Sequence, residues 1–180
     1  PSVRARSMEL LLQEMDSIGC RCGVVTGRTG TVFGSVDNRV IEEVVAAHPG
    51  RFVGAAYVAP HDRKAALAEI DRAMQAGFRA VVMEPGLAQP PWHMDDARLY
   101  PIYERLEGAN LPLVFMAGGN AGPDLAYTSP EHVDRVARDF PGLRIVLAHG
   151  GWPWVSEILH VCYRRPNIWI SPDMYLFGGM

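Results

Sequence analysis

The hydrophobic positions of this chain follow two spacings that alternate along its length. Runs of about four to eight apolar, often β-branched residues predict strands covered on both faces, as in a parallel sheet. Segments with apolar residues three and four positions apart predict amphipathic helices. The predicted strands are 22–26, 52–59, 79–83, 113–116, 143–148 and 168–171. The predicted helices begin near Ser7, Asp37, Asp62, Asp96, Ser129 and Pro153.

A strand followed by a helix recurs roughly every 30 residues, which is the rhythm of βαβ units. Such units build either a closed (β/α)8 barrel or an open doubly wound sheet. No Gly-x-Gly-x-x-Gly follows the first strand, so the open dinucleotide-binding fold has no positive support. We therefore expect an α/β protein of the (β/α)8 TIM-barrel type in a single domain over 1–180. About six strands are visible where a barrel needs eight, so the first and last strands are expected to be absent.

The chemistry is expected around the segment 143–155, where a buried apolar run stops at His149 and two glycines follow. Pro153 fits the first position of a helix, where its missing N–H costs nothing. His149 would then lie at the carboxyl end of a strand, where α/β folds bind ligands. A neutral imidazole accepts or delivers a proton near physiological pH, so His149 is the candidate catalytic residue. The alternative is a histidine that only hydrogen-bonds the strand end.

Three charged residues also follow predicted strands. Arg28, in the predicted loop 27–30, is suited to a bidentate grip on a substrate carboxylate, or it is a solvated loop residue. Glu84 and Asp173 each suit the role of acid, base or ligand, although the neighbouring prolines also fit plain turns and caps.

Two further residues complete the candidate substrate-binding set. Asn120 lies in a glycine-rich loop that permits close backbone approach to a ligand. Trp152 is suited to walling a planar ligand, or it packs between barrel and helices. His93 lies in a Pro-rich loop that forms either a lid or plain surface, and His132 is placed on a helix face without chemistry.

Composition narrows the class of protein. A formal charge of −3 and a pI near 6.1 leave no basic footprint for nucleic acid. No run approaches the roughly 18 apolar residues of a membrane span, and the first residues lack a signal-peptide pattern. The three cysteines lack paired zinc spacing and are expected to be free thiols. A cytoplasmic protein is expected, with a small molecule as its partner and a homo-oligomer left open.

Five motifs occur in order along the chain and resemble one known family. They are Met-Asp-Ser-Ile-Gly at 15–19, His-Pro-Gly-Arg-Phe-Val-Gly at 48–54, Asp-Asp-Ala-Arg-Leu-Tyr-Pro at 95–101, Leu-Pro-Leu-Val at 111–114 and Ala-His-Gly-Gly at 148–151. Together they resemble the amidohydrolase-related family, which includes aromatic-acid decarboxylases and lactone hydrolases. The resemblance implies a (β/α)8 barrel with its site at the carboxyl ends of the strands.

The resemblance also implies a divalent metal such as Zn²⁺, held by a first-strand His-x-His, a fifth-strand His and an eighth-strand Asp. The His-x-His and the Asp are expected to lie outside this chain. The fifth-strand position is occupied by Met116, whose thioether is a poor ligand for such an ion, so no metal ligand is assigned and metal binding is expected to be weak or absent. Met116 is instead counted with the substrate-binding residues. His149 aligns with the sixth-strand His that orients water or substrate.

These observations predict an amidohydrolase-superfamily enzyme that hydrolyses or non-oxidatively decarboxylates a small carboxylated cyclic or aromatic-derived substrate. His149 would be the proton-transfer and water-orienting group. The alternative is a non-catalytic relative that binds a ligand or partner on the barrel rim, an interpretation favoured by the loss of the fifth-strand histidine.

Overall fold

Six parallel strands form the main sheet of the protein, as the apolar runs predict. The computed structural model describes residues 1–31 and 34–173. Its strands are β1 (Gly23–Thr26), β4 (Phe52–Tyr57), β5 (Ala80–Met83), β6 (Leu113–Met116), β7 (Ile145–Ala148) and β8 (Ile168–Ser171). They lie in the order β1-β4-β5-β6-β7-β8, and every neighbouring pair is parallel. Within the described residues β1 and β8 are the two edge strands, so the sheet is not closed there.

Two helices precede β1, and five more connect consecutive strands of the sheet among the described residues. They are α1 (Ser2–Ala5), α2 (Met8–Ser17), α3 (Asn38–Ala47), α4 (Arg63–Gln75), α5 (Tyr100–Gly108), α6 (Pro130–Asp139) and α7 (Val155–Arg164). Three predicted starts are confirmed by side-chain caps. Ser7 accepts a hydrogen bond from the Leu10 amide, Asp37 from that of Arg39 and Asp62 from that of Ala65.

The core lies between the sheet and the helices. Leu113 and Phe115 on β6 are fully buried there, as are Ile145 and Leu147 on β7. Because side chains alternate along a strand, Met116 and the other intervening residues face the inner side of the barrel. The carboxyl ends of the strands therefore direct their inner residues toward one common mouth.

The predicted loop at 27–30 is wrong, because the chain forms a second, antiparallel ribbon there. Strand β2 (Arg28–Thr31) pairs with β3 (Gly34–Val36), and residues 32 and 33 lie outside the described residues. This ribbon is short and polar and lacks the hydrophobic alternation that signals a strand, so the sequence pattern could not indicate it. Its first residue is Arg28, which is thereby placed next to β1.

The predicted helix start at Pro153 is also wrong, since α7 begins two residues later at Val155. A 3₁₀ turn over His149–Gly151, with positive φ at each of its three residues, precedes it and redirects the chain. The packed face of α7 is centred on Ile158 and Val161. Val155 and Leu159, which the spacing predicts to face inward, are consequently exposed on the flank.

The described residues also bear on two expectations from the sequence, which concern membrane-spanning helices and the state of the cysteines. Every helix described there is too short or too polar to cross a lipid bilayer. Cys20, Cys22 and Cys162 are free thiols, as expected.

Candidate active site

Four of the residues singled out by sequence lie at the carboxyl ends of the sheet strands. Arg28 follows β1, Glu84 follows β5, His149 follows β7 and Asp173 follows β8. Parallel strands bring these ends to one rim, so four segments distant in sequence contribute to one region. The side chains meet as two pairs, His149 with Asp173 and Arg28 with Glu84.

The first pair is held by two hydrogen bonds from a single residue. The Asp173 carboxylate lies 2.9 Å from His149 Nδ1 and accepts a 2.8 Å hydrogen bond from the His149 backbone N–H. His149 has a φ of 65°, in the left-handed region, where a non-glycine residue is uncommon. Such strain persists where the surroundings over-determine it, and Asp173 supplies that constraint.

The second pair is an ion pair with one buried member. Arg28 Nη2 donates to Glu84 Oε1 at 3.0 Å, and the Glu84 side chain is only 3% exposed. Burial raises the pKa of Glu84, while the charges of Arg28 and of protonated His149 oppose that rise. The second oxygen, Oε2, is buried without a hydrogen-bond partner among the described residues. A buried acceptor left unsatisfied costs free energy, so this oxygen is suited to meet a donor on a ligand.

Tyr57, at the end of β4, belongs to the same region and was missed by the sequence reasoning. Burial raises the pKa of its phenol, the charge of Glu84 raises it further and that of Arg28 opposes the rise. The phenol of Tyr57 therefore interacts electrostatically with both members of the Arg28–Glu84 pair. A tyrosine at the end of a strand could have indicated this position from the sequence. The predicted strand continues to Ala59, however, so it places Tyr57 inside the strand and not at its end.

The glycine-rich loop after β6 packs directly against His149, whereas the sequence predicts only that this loop approaches a ligand. A Cβ on Gly118 would lie 3.1–3.3 Å from the Cβ, Cδ2 and Cγ atoms of His149. Gly86, two residues after Glu84, lies so close to Ala121 that a Cβ there would be 2.1 Å from the Ala121 carbonyl oxygen. Both glycines allow segments to pack tightly around the paired residues, a role that the sequence did not reveal.

The remaining candidates lie at different distances from the two pairs. Met116 is the last residue of β6 and is in register with Ala148, the residue before His149. Trp152 follows the 3₁₀ turn and is 44% exposed. Asn120 is exposed, and its side chain makes no hydrogen bond to another described residue. The structure therefore brings Met116 close to the paired residues and leaves Asn120 on the loop surface.

The described residues do not fit a complete metal-binding group. Met116 occupies the position where the family resemblance implies a histidine ligand, and a thioether is a soft donor. Over residues 1–31 and 34–173, no three His, Cys, Asp or Glu side chains lie together in a way that would hold a metal ion. No step of the chemistry below is therefore assigned to a metal.

The chain belongs to the amidohydrolase family, whose model matches residues 14–175. This match confirms the family that the five motifs indicate. No match to the chain was found among curated proteins.

Solved structures confirm the TIM-barrel fold. An uncharacterized TIM-barrel protein from Bordetella bronchiseptica is 47% identical and superimposes with a TM-score of 0.93 over 98% of this chain and 63% of its own. A 2,6-dihydroxybenzoate decarboxylase from Rhizobium is 18% identical, with a TM-score of 0.72 over 92% of this chain and 69% of its own.

A third similar structure is a dihydroxybenzoic acid decarboxylase from Polaromonas with bound manganese and 2-nitroresorcinol. It is 20% identical, with a TM-score of 0.66 over 93% of this chain and 61% of its own. The present chain thus spans somewhat less than two thirds of the Bordetella protein, and the six parallel strands are part of a larger barrel.

Proposed function

We propose that this chain carries part of the active site of an enzyme that hydrolyses or non-oxidatively decarboxylates a small carboxylated cyclic or aromatic-derived substrate. The observation that carries the proposal is the hydrogen-bonded pair of His149 and Asp173 at the strand ends. An imidazole whose orientation is fixed by a carboxylate, at the rim where TIM barrels perform their chemistry, is the arrangement required for proton transfer.

Asp173 determines which ring nitrogen of His149 accepts a proton. An ionised carboxylate accepts hydrogen bonds and cannot donate, so its contact with Nδ1 places the proton of the neutral ring on that atom. The lone pair is consequently on Nε2, which becomes the proton acceptor. When Nε2 gains a proton, the charge of Asp173 stabilises the resulting imidazolium.

The Arg28–Glu84 pair supplies two kinds of recognition. The Arg28 guanidinium has a planar fork of N–H donors that matches a carboxylate, and it lies at the rim in an ion pair with Glu84. Glu84 Oε2, buried and without a described partner, is suited to accept from a substrate hydroxyl. A substrate with a carboxylate and a nearby hydroxyl group satisfies both.

Either reaction uses the same proton-transfer group. In hydrolysis, His149 Nε2 removes a proton from water as the oxygen attacks a carbonyl carbon, and the imidazolium then protonates the leaving oxygen. In decarboxylation, the bond between the ring carbon and the carboxyl carbon breaks, carbon dioxide leaves, and the electron pair on the ring carbon takes a proton from the His149 imidazolium. In hydrolysis the ring starts and ends neutral, because the proton taken from water goes to the leaving oxygen. In decarboxylation Nε2 first takes one proton from solvent and then gives it to the ring carbon, so the imidazole is again neutral.

A non-catalytic ligand-binding protein is the second candidate, and Met116 favours it. Its thioether replaces the histidine that the family resemblance places at this strand end. In that case His149 and Asp173 would orient a bound ligand and perform no proton transfer. A cytoplasmic location and assembly into a homo-oligomer stay predictions for either candidate.

A substrate screen on the full-length protein separates the two candidates. Hydroxylated benzoates, with 2,6-dihydroxybenzoate as the first, are followed by ultraviolet absorbance, and cyclic lactones that carry a carboxylate are followed by acid release. We expect turnover by the wild type and by His160→Ala, in which an exposed histidine on α7 is removed as the control. We expect His149→Ala to lose on the order of 10²–10⁴-fold in kcat. Binding without turnover, or equal turnover by His149→Ala, would support the ligand-binding candidate.

A further inference from the structure

A second histidine, His132, lies in a network that the proposed reaction does not use. It is in the first turn of α6 and is 9% exposed. Its Nδ1 lies 2.7 Å from Asp95 Oδ1, and its Nε2 lies 2.9 Å from the carbonyl oxygen of Ala126. Both ring nitrogens therefore face oxygen atoms that act as acceptors.

Neither of these acceptors has a proton to give. A carbonyl oxygen only accepts. Burial of Asp95 opposes its ionisation, but hydrogen bonds from Arg135 and His132 together hold the pKa of this carboxyl below its usual range. Arg135 Nη1 donates to the second oxygen, Oδ2, at 2.5 Å, and its positive charge favours the ionised form. Because both partners accept, the ring must donate from both nitrogens, and His132 is an imidazolium in this arrangement.

The ring connects two loops that border the candidate active site. Asp95 lies in the β5 loop (residues 84–99), and Ala126 lies in the β6 loop (residues 117–129). His93 of the β5 loop stacks on His132, with ring centroids 4.3 Å apart, and on Tyr127 of the β6 loop at 4.4 Å. The two loops are thus joined by charged hydrogen bonds and by stacked rings.

The same two loops contact the paired residues of the site at their other ends. Gly118 of the β6 loop lies against the His149 ring, and Gly86 of the β5 loop lies against Ala121 of the β6 loop. A movement of the β6 loop would consequently change the packing around His149. The contact of His132 with Ala126 restrains that loop in the 3₁₀ turn Leu125–Thr128.

We propose that His132 is a positioning residue that, as an imidazolium, clamps the β5 and β6 loops together and so holds Gly118 against His149. Its role concerns loop geometry and is independent of the reaction proposed above. Loss of one ring proton removes a donor, and the neutral ring keeps the donor that faces the Asp95 carboxylate. The bond to Ala126 is then lost, so the clamp needs both ring protons.

The protonation state is tested by ¹⁵N NMR of the histidine rings in the full-length protein. The His132 signals are assigned by their loss in His132→Gln. We expect two protonated nitrogens for His132 in the wild type while the β5 and β6 loops are ordered. A neutral His132 ring in the wild type under conditions where the loops are still ordered would overturn the proposal.

Hydrogen exchange of the backbone amides tests the clamp itself. At neutral pH we expect His132→Gln to speed exchange in the β5 and β6 loops about tenfold, since a charge-assisted hydrogen bond is lost. The matched control His160→Gln should leave these loops unchanged. Loop exchange in His132→Gln equal to that of the wild type would contradict the proposal whatever reaction the enzyme performs. The ring NMR of the wild type tests the proposal even if the variant fails to fold.

Discussion

Asp173 accepts two hydrogen bonds from the same residue, one from the backbone N–H of His149 at 2.8 Å and one from its Nδ1 at 2.9 Å. The backbone bond fixes the turn that follows β7, and the side-chain bond fixes the ring. A single carboxylate thereby couples the strained conformation of His149 to the orientation of its imidazole. The two residues come from successive strand ends, so this coupling depends on the pairing of β7 with β8.

Replacement of Asp173 should lower activity by changing the tautomer of His149. In Asp173→Asn the amide can present an N–H to Nδ1, which moves the ring proton to Nε2 and removes the proton acceptor. We expect kcat to fall on the order of 10²–10⁴-fold, measured with the substrate that the screen identifies. Asp71→Asn, at an exposed ion pair with Arg105, is the control. A twofold effect or less in Asp173→Asn would contradict the role of this carboxylate.

Glu84 should make the protein less stable as the pH rises. Its folded-state pKa is raised above the ordinary value of 4.5, so its contribution is fully present below that value and is lost as the pH rises through the folded pKa. Glu84→Gln removes this titration. We therefore expect the free energy of unfolding of Glu84→Gln, relative to wild type, to increase from acidic to neutral pH in urea titrations. Exposed Glu104→Gln should show no such trend, and a relative stability that falls with pH would refute the prediction.

Gly118→Ala should impair catalysis more than folding. The added methyl group would lie 3.1–3.3 Å from three His149 atoms, so the ring or the β6 loop must shift by a few tenths of an ångström. A small misplacement of a reacting group lowers the rate, and we expect kcat to fall about 10- to 100-fold. Thermal unfolding and kinetics are compared with Gly108→Ala, where the methyl group meets nothing within 4 Å. Equal kinetics for the two variants would show that Gly118 does not position His149.

Met116 should make no contribution to metal binding. Elemental analysis of the full-length protein is expected to find less than one equivalent of Zn²⁺ or Mn²⁺, since a thioether is a poor ligand for these ions. The volume-conserving Met116→Leu variant should have the same metal content as the wild type. One equivalent in the wild type would overturn the expectation of weak or absent metal binding, and a lower content in Met116→Leu would in addition establish Met116 as a ligand.

Much of the fold is predictable because buried strands have a strong local signal. The runs that form β6 and β8 were predicted with their observed bounds, since both are apolar, short and flanked by turn residues. The ribbon of β2 and β3 lacked that signal, because its residues are polar and its stability comes from pairing with itself. The start of α7 was misplaced because Pro153 satisfies a local rule that the turn at His149 overrides.

The candidate site was predictable as a set of strand ends but not as a set of contacts. Arg28, Glu84, His149 and Asp173 each follow an apolar run, which is a local property of the sequence. Their pairing depends on strand order and on the register of the sheet, which bring together residues such as Arg28 and Glu84 that are 56 positions apart. His132 was placed on a helix face, since nothing local to it indicates that Asp95 and Ala126 meet both of its nitrogens.

The tautomer of His149, read by ¹⁵N NMR of the full-length protein, tests the central claim most directly because it needs no substrate. The geometry predicts that the neutral ring has its proton on Nδ1, with Nε2 unprotonated, and that this preference disappears in Asp173→Asn. A neutral ring with its proton on Nε2 in the wild type would contradict the account, because the lone pair would then be on Nδ1, which faces Asp173, and Nε2 could not accept a proton.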